Sequence, residues 1–594
     1  MWSDVEMNRG LILAAIALVF FSTWFNSAPT HAGFSEAPES YSKPVVAASN
    51  TIWVPDNHTT IQEAVNAAEK GDTIFVKAGT YHEHVVIDKA LSLIGENKQD
   101  TIINGSGTGT VVHVAAYNIT LSNFTIQNGR LGIYLQGSNN NIFDGNIVSN
   151  NNMYGIYLRY SGNNALTNNV VSSNNPYGIY LSYSSNNALI GNTASNNSYG
   201  IYLSHSGNNA ITNNTASNSD NGIHLHSSGN NALTGNDISS SSSYGIHLYH
   251  SDGNILSGNF ASNNPSGIYV GDSDGNVFAG NYMSNNQYGI YLYYSRGNTL
   301  AGDTVSNNSY GIYLQGSSNN AVFHNNFLSN TEPASSINSV NSWDDGIEGN
   351  YWSAYDGTDT DLDGIGDTPY YIRESILDNY PLMGMFSQFN ITTENQCYIV
   401  GTITNSTISD FQCLYDIGTK TDAVSFKVNV TQNNGFWRIF IPHALINPPL
   451  TVRVDGNAPF YFKKVYANGT HTWIYFAYDH LEHEITIMQM PPSKQLLFFQ
   501  WTIFGLAIIA VILFSISVNY YRLLNKQKKI IEAYEREVGS FPVSHEDRAR
   551  MRFIKDVIER KEKLEKFKKK YGIKIQPAST LEDLMDKLGV QKRS

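Results

Sequence analysis

The sequence predicts an all-β chain whose main body is a parallel β-helix, and three observations predict it. First, Gly-Ile-Tyr-Leu or a close variant recurs nine times, opening at Gly132, Gly155, Gly178, Gly200, Gly222, Gly245, Gly267, Gly289 and Gly311, with gaps of 22 or 23 residues. A fixed period of this size means one structural unit stacked on copies of itself. Second, one unit, Gly178–Tyr199, holds three short strand-like runs separated by Asn, Gly and Ser. It has no 3.6-residue apolar pattern and is too short for a propeller blade of about 40 residues, so each unit reads as one coil adding about 4.8 Å. Third, charge is split along the chain. Residues 520–594 carry 20 of the 37 Lys and Arg but only 12 of the 50 Asp and Glu, a net of +8 against −21 for the rest. Such asymmetry suggests two environments.

The elements follow in chain order. Leu11–Phe25 is apolar but short for a span, is preceded by Arg9 and is followed by Thr30-His31-Ala32, so residues 1–32 read as a secretory signal peptide. An uncleaved anchor is the alternative. Residues 33–51 are a linker. Thr60-Ile61-Gln62-Glu63 starts a capping box; Ile61, Ala64, Val65 and Ala68 then give one apolar helix face, and Gly71 is expected to stop it. This helix is expected to plug the open end of the stack, which must be protected against edge-to-edge pairing. Residues 72–126 read as the first, less regular coils.

Within a regular coil, Ile179 and Leu181 alternate with Tyr180, so the aliphatic pair faces inward and the ring faces out. Ala188 and Leu189 mark a second strand and Ala194 a third. Asn164, Asn187, Asn209, Asn231, Asn254, Asn276, Asn298 and Asn320 share one turn position. Asn146, Asn169, Asn192, Asn214, Asn236, Asn259 and Asn281 share another. Asparagine tolerates left-handed backbone, and stacked amides bond along the axis, so ladders are expected there rather than catalysis.

The opening TIQEAVNAAEKGDTIFVKAGTYHEHVVIDKALSLIGE resembles the start of right-handed parallel β-helix proteins, a group that includes pectin-active enzymes. The repeat GIYLSYSSNNALIGNTASNN and the terminal block GNYWSAYDGTDTDLDGIGDTPYYI, followed by DNYPLM, resemble the NosD-type family over residues 52–383. The resemblance implies a secreted right-handed β-helix with an acidic C-terminal cap. The family name refers to a periplasmic protein needed for copper-site assembly in nitrous oxide reductase, while archaeal surface proteins share the repeat without that role.

Several residue groups could carry chemistry. Asp359, Asp361, Asp363 and Asp367, with Gly364 between them, follow the first part of a calcium loop, with the Ile365 carbonyl as a further oxygen. Tyr370 stands where a bidentate Glu closes an EF-hand, so the match is partial, and any calcium is expected to be structural. The outward column Tyr134, Tyr157, Tyr180, Tyr202, His224, His247, Tyr269, Tyr291 and Tyr313 stacks one strand spacing apart. Ladder stabilisation is one reading, and an aromatic track for sugars or a protein partner is the other. His224, His226 and His247 suit copper or zinc by residue type. They stand where the column otherwise has tyrosine, so a ring role is expected and copper is not. Asp252, Asp274 and Arg296 occupy equivalent turn positions on three coils, an echo of lyases with this fold, but Asp-Gly-Asn and Arg-Gly-Asn are also ordinary turns. A glycosidase needs two carboxylates about 5–9.5 Å apart, and the regular coils offer no obvious pair.

Residues 386–490 leave the repeat, and runs such as SFKVNV, FWRIFIP and HTWIYFAY suggest a small β-sandwich stalk. Cys397 and Cys413, the two cysteines, are expected to form one disulfide in its first hairpin. Gln495–Tyr521 is 27 residues without a charge, long enough for a transmembrane helix; Arg522, Lys526, Lys528 and Lys529 follow, placing residues 522–594 in the cytoplasm as a basic helical tail. Asn-x-Ser/Thr sequons such as Asn118, Asn123, Asn213, Asn390 and Asn429 are compatible with an extracellular glycoprotein. The expectation is therefore a single-pass cell-surface protein, non-enzymatic, binding a glycan or protein partner and not nucleic acid. A carbohydrate-active enzyme is the first alternative and copper handling the second.

Overall fold

A computed structural model describes residues 50–373, 376–393, 396–416, 421–430, 434–479 and 481–490, together with helical positions scattered between 521 and 569. The predicted signal peptide, most of the linker and nearly all of the predicted transmembrane segment lie outside the described residues. Among the described residues no helix is long and apolar enough to cross a membrane.

The repeat folds as a parallel β-solenoid. Its coils align into a 13-stranded sheet, a 12-stranded sheet and two six-stranded sheets that together make the third wall. Pairing is in register from coil to coil: Ile156 pairs with Ile179 and Ile179 with Ile201, while Tyr157, Tyr180 and Tyr202 follow one another in the next position. The third wall is divided where Thr215 makes only isolated bridges to Thr193 and Asp237. Ile179, Leu181, Leu189 and Ala194 are fully buried, as the alternation requires.

The glycine that opens each repeat has a steric cause. A Cβ at Gly178 would lie 2.6 Å from the Gly200 carbonyl oxygen, and one at Gly200 the same distance from that of Gly222. The chain approaches its copy too closely for any side chain there.

Both predicted asparagine ladders form and are buried. In the first, Asn164 Nδ2 donates to Asn187 Oδ1 at 3.0 Å, and the Asn164 backbone N–H donates to the same oxygen. The preceding residue is left-handed throughout: Asn163, Asn186 and Asn208 have φ of 56°, 61° and 57°, and Gly253, Gly275 and Gly297 take over later. A third ladder, through Asn151, Asn174, Asn197, Asn264, Asn286 and Asn308, was not expected, nor was the serine column through Ser161, Ser184, Ser206 and Ser228.

The second ladder extends past Asn281 through Asp303, Asn325 and Asn350 to Asp378. Asp303 Oδ1 accepts from the Asn281 N–H and Nδ2, but its Oδ2 is buried without a partner where the other members carry an NH₂ group. Burial pushes its carboxyl up to about 7, against the lowering effect of the two Asn281 bonds. A folded value above the ordinary 3.8 gives stability that is complete below about pH 4 and lost as pH rises through 7. We expect Asp303→Asn to remove this pH dependence and to stabilise the protein above pH 7 by an amount on the order of 4 kcal/mol, read from urea unfolding at pH 5 and 8.

At the N-terminal end, helix Ile61–Ala67 has the predicted capping box: Thr60 Oγ1 accepts from Glu63 N, and Glu63 returns the bond to Thr60 N. Ile61, Ala64 and Val65 are buried against the first coils. The helix ends at Ala68, which is already extended, and Gly71 (φ 98°) belongs to the next turn rather than to the stop.

Residues 385–489 form a five-stranded and a four-stranded antiparallel sheet. Trp437, Ile439 and Phe476 of one and Phe426, Ile485 and Ile487 of the other share a single core, as a sandwich requires. The disulfide expectation is corrected. Cys397 and Cys413 are free thiols and do not belong to one hairpin: Cys397 pairs with Thr392 in one sheet and Cys413 with Val424 in the other.

Candidate functional site

Three features could carry function: the outer face of the 12-stranded sheet, the turn containing Asp252, Asp274 and Arg296, and the acidic loop at the C-terminal end of the solenoid.

The outer face carries two aromatic columns. Tyr157, Tyr180, Tyr202, Tyr269, Tyr291 and Tyr313 stand in the predicted one and are all half-buried. A second, unpredicted column, Tyr154, Tyr177, Tyr199, Tyr244, Tyr288 and Tyr310, stands one position before the glycines. Its signal was present in the sequence as a tyrosine before six of the nine repeat glycines. Burial, reinforced by the neighbouring phenols, pushes Tyr157, Tyr202 and Tyr291 up to about 12, so these rings are uncharged at neutral pH.

The rings do not form one flat track. Tyr157 and Tyr180 stack at 4.9 Å and 3°, and Tyr180 and Tyr202 at 5.1 Å and 23°. Beyond the histidines, Tyr269–Tyr291 and Tyr291–Tyr313 meet edge to face, at 80° and 87°. The change falls at His224 and His247, whose rings stack on each other at 4.1 Å. Burial drives both imidazoles down, to about 2 and about 4, so both are neutral. Both nitrogens of His224, Nδ1 of His247 and the nearby Asn221 Oδ1 are buried without a partner. His226 packs instead against His205 and Tyr249. Among the described residues, one group of three or more ligating side chains has its donor atoms within 4.8 Å of one another, and it is not these histidines but Asp359, Asp361 and Asp363.

The turn is built of caps. Asp252 Oδ1 accepts from Asp274 N at 2.8 Å, and Asp274 Oδ1 accepts from Arg296 N at 2.6 Å. Each carboxylate spends an oxygen on the backbone of the next coil, and all three side chains are exposed.

The acidic loop sits between solenoid and sandwich. Asp359 accepts from the N–H groups of Asp363 and Gly364, and Asp363 from that of Ile365, with left-handed turns at Leu362 and Gly364. This folds the three carboxylates together. Burial and mutual repulsion raise Asp359, and burial foremost raises Asp363, the response of acids crowded without enough positive charge. Asp367 is not in the cluster; it accepts from Thr360 N and Oγ1. Two sandwich cations reach the loop: Lys463 Nζ donates to the Asp361 carbonyl at 2.6 Å, and Arg438 Nη1 to the Asp363 carbonyl at 2.8 Å. Sequence reading missed the centre of this junction, where Arg438 also clasps Glu348 at 2.7 Å and Glu348 meets His324 Nε2 at 2.7 Å, with Arg438 and Glu348 buried and His324 partly buried and stacked on Phe386. The pairing spans about 90 residues, and no local motif marks it.

A parallel solenoid with internal asparagine ladders and a capped C-terminal end defines a class of architecture. Residues 65–238 and 202–357 match the family described as periplasmic copper-binding protein (NosD), and the chain carries a β-helix domain of that family. No curated protein matches the chain. Among solved structures, the A-module of mannuronan C-5 epimerase AlgE4 from Azotobacter vinelandii is 17% identical, covering 50% of this chain and 96% of its own, with a TM-score of 0.39. The Dettilon tailspike protein is 13% identical over 74% of this chain and 94% of its own, with a TM-score of 0.39. The catalytic domain of a GH87 α-1,3-glucanase is 15% identical over 52% and 70%, with a TM-score of 0.37.

Proposed function

We propose that the protein is a non-enzymatic binding module of the cell surface, anchored by residues 495–521, that holds a glycan or protein partner against the outer face of its 12-stranded sheet. The observation that carries this reading is the pair of uncharged aromatic columns running along one wall, an amphipathic surface suited to contact. The candidate catalytic group supports it from the other side, since Asp252 and Asp274 are engaged as backbone caps. The test is a glycan-array and cleavage screen of the full-length protein. Binding without turnover is expected, and cleavage of polyuronides or other glycans that Arg296→Ala abolishes would replace this reading with the enzymatic one.

We assign Asp359, Asp361 and Asp363 to a structural calcium ion, with the Ile365 carbonyl as a further oxygen. Their convergence within 4.8 Å supports it, and hard oxygen donors suit that ion. Chelation with EGTA is expected to lower the thermal midpoint at low ionic strength, and Asp361→Asn with Asp363→Asn to make it insensitive to the chelator. An unchanged midpoint in wild type would leave Lys463 and Arg438 as the loop's only counter-charges.

A further inference from the structure

On the coils where the third wall is divided, a groove of about 590 Å³ runs along the turn between that wall and the aromatic face. Its lining is amide and hydroxyl, repeated from coil to coil: Asn175, Ser198 and Ser242 are among its members, and Asp220 is its one charged residue. These residues stand one or two positions before Tyr177, Tyr199, Asn221 and Tyr244 in the chain. The groove therefore borders the second aromatic column at the place where that column is broken, since Asn221 pairs in register between Tyr199 and Tyr244.

The break leaves a local deficit. Asn221 is 8% exposed and its Oδ1 has no partner; three ring nitrogens of His224 and His247 beside it have none either. Buried polar atoms are normally satisfied, and a cluster of exceptions beneath one surface marks a local weakness in the packing there. The rings flanking the break are tilted to their neighbours in the first column, Tyr199 by 40° to Tyr202 and 39° to His224 and Tyr244 by 42° to His247, although Tyr199 still stacks on Tyr177 at 21°.

We propose that the groove over residues 173–242, with the break at Asn221 and His224, is the binding site for an uncharged polysaccharide. The proposal rests on the surface-binding reading above and narrows it. Hydroxyl groups both donate and accept, which matches the rows of Asn and Ser that line the groove. The coil repeat of about 4.8 Å is comparable to the span of one sugar ring, so successive coils meet successive sugars. Acidic chains are disfavoured, because the lining offers no cation and one carboxylate.

The test uses the protein's own repeat. Asn221→Tyr restores the residue found at this position on most coils and so keeps the fold, while closing the break. Ser266→Tyr does the same at the column's other gap, outside the groove. The full-length protein is titrated calorimetrically with oligosaccharides of glucose, mannose and xylose and, in parallel, with oligogalacturonate and oligoalginate. We expect a neutral oligosaccharide to bind, Asn221→Tyr to weaken it by about tenfold or more, and Ser266→Tyr to change it by about twofold or less. Preference for the acidic chains, or no binding of any neutral glycan, overturns the proposal. If neutral glycan binds, and Tyr157→Ala and Tyr180→Ala weaken it while Asn221→Tyr does not, the broad surface reading stands and this site falls.

Discussion

Asn192→Ala is expected to destabilise the solenoid by about 3–6 kcal/mol, more than loss of a typical surface contact by an order of magnitude. The Asn192 side chain makes four bonds. Its Oδ1 accepts from Asn169 N and Nδ2, at 3.1 and 3.0 Å, and its Nδ2 donates to the Leu166 carbonyl at 2.8 Å and to Asn214 Oδ1 at 3.0 Å. Alanine removes all four and strands the Asn169 backbone N–H and one of its two amide hydrogens, the other staying on the Phe143 carbonyl, and takes a donor from the Leu166 carbonyl, at about 1–3 kcal/mol each. Because each coil contacts its neighbours, the loss should spread as a local loosening of two or three coils. Hydrogen exchange should show the amides of residues 165–215 exchanging faster while those of the sandwich do not. A midpoint within 2 °C of wild type would mean that water replaces the amide at no cost.

Glu348→Ala is expected to cost about 3–5 kcal/mol, because it strands the buried Arg438 charge and the His324 ring. Burial opposes charge on both Glu348 and His324. Even so, Arg438 and His324 hold the Glu348 carboxyl below the usual carboxylate range, and Glu348 holds the His324 imidazolium above its own. The signs are opposite and bound a window. The Glu348 contribution is present above its unfolded value of about 4.5 and is lost as pH falls through the depressed folded value. The His324 contribution is complete below about 6.5 and is lost as pH rises through the raised one. The junction should therefore be strongest at mildly acidic pH. Glu348→Gln should narrow the difference between pH 6 and pH 9, measured as the separation of two thermal transitions, one for the solenoid and one for the sandwich. An unseparated transition in Glu348→Ala would show that Asn326, which exchanges two bonds with the Phe386 backbone, is enough to couple them.

How much of this was legible depended on periodicity. The coil, its inward Ile and Leu, two of three ladders and the capping box all declare themselves by spacing, since a strand alternates every second residue and the stack every 22 or 23. The third ladder was obscured where Ser219 and Ser241 stand for asparagine, a hydroxyl taking over the acceptor role from Asn197 N. The site was legible in part. The tyrosine column was readable because it repeats, whereas Asn221 matters for breaking a repeat. The disulfide expectation failed because an even number of cysteines says nothing about whether two thiols meet, and these two do not share a hairpin. Arg438 and Glu348 meet only when two domains dock, and no local pattern encodes that.

One property of the second ladder reaches beyond stability. Each of its asparagine amides gives one hydrogen to the side-chain oxygen of the coil that follows and the other to a backbone carbonyl of the coil before, while its own oxygen accepts from the coil before. The side-chain dipoles thus point one way along the stack, their positive ends toward the C-terminus, where Asp378 presents carboxylate oxygen to Asn350 and Trp352. The solenoid is an electrical arrow, with an anion at its tip as a carboxylate sits at a helix N-terminus. Its two ends are therefore unequal as starting points. Within this ladder, coils trimmed from the C-terminal side strand the backbone N–H and one amide hydrogen of the last asparagine, whereas coils trimmed from the N-terminal side strand one amide hydrogen of the first.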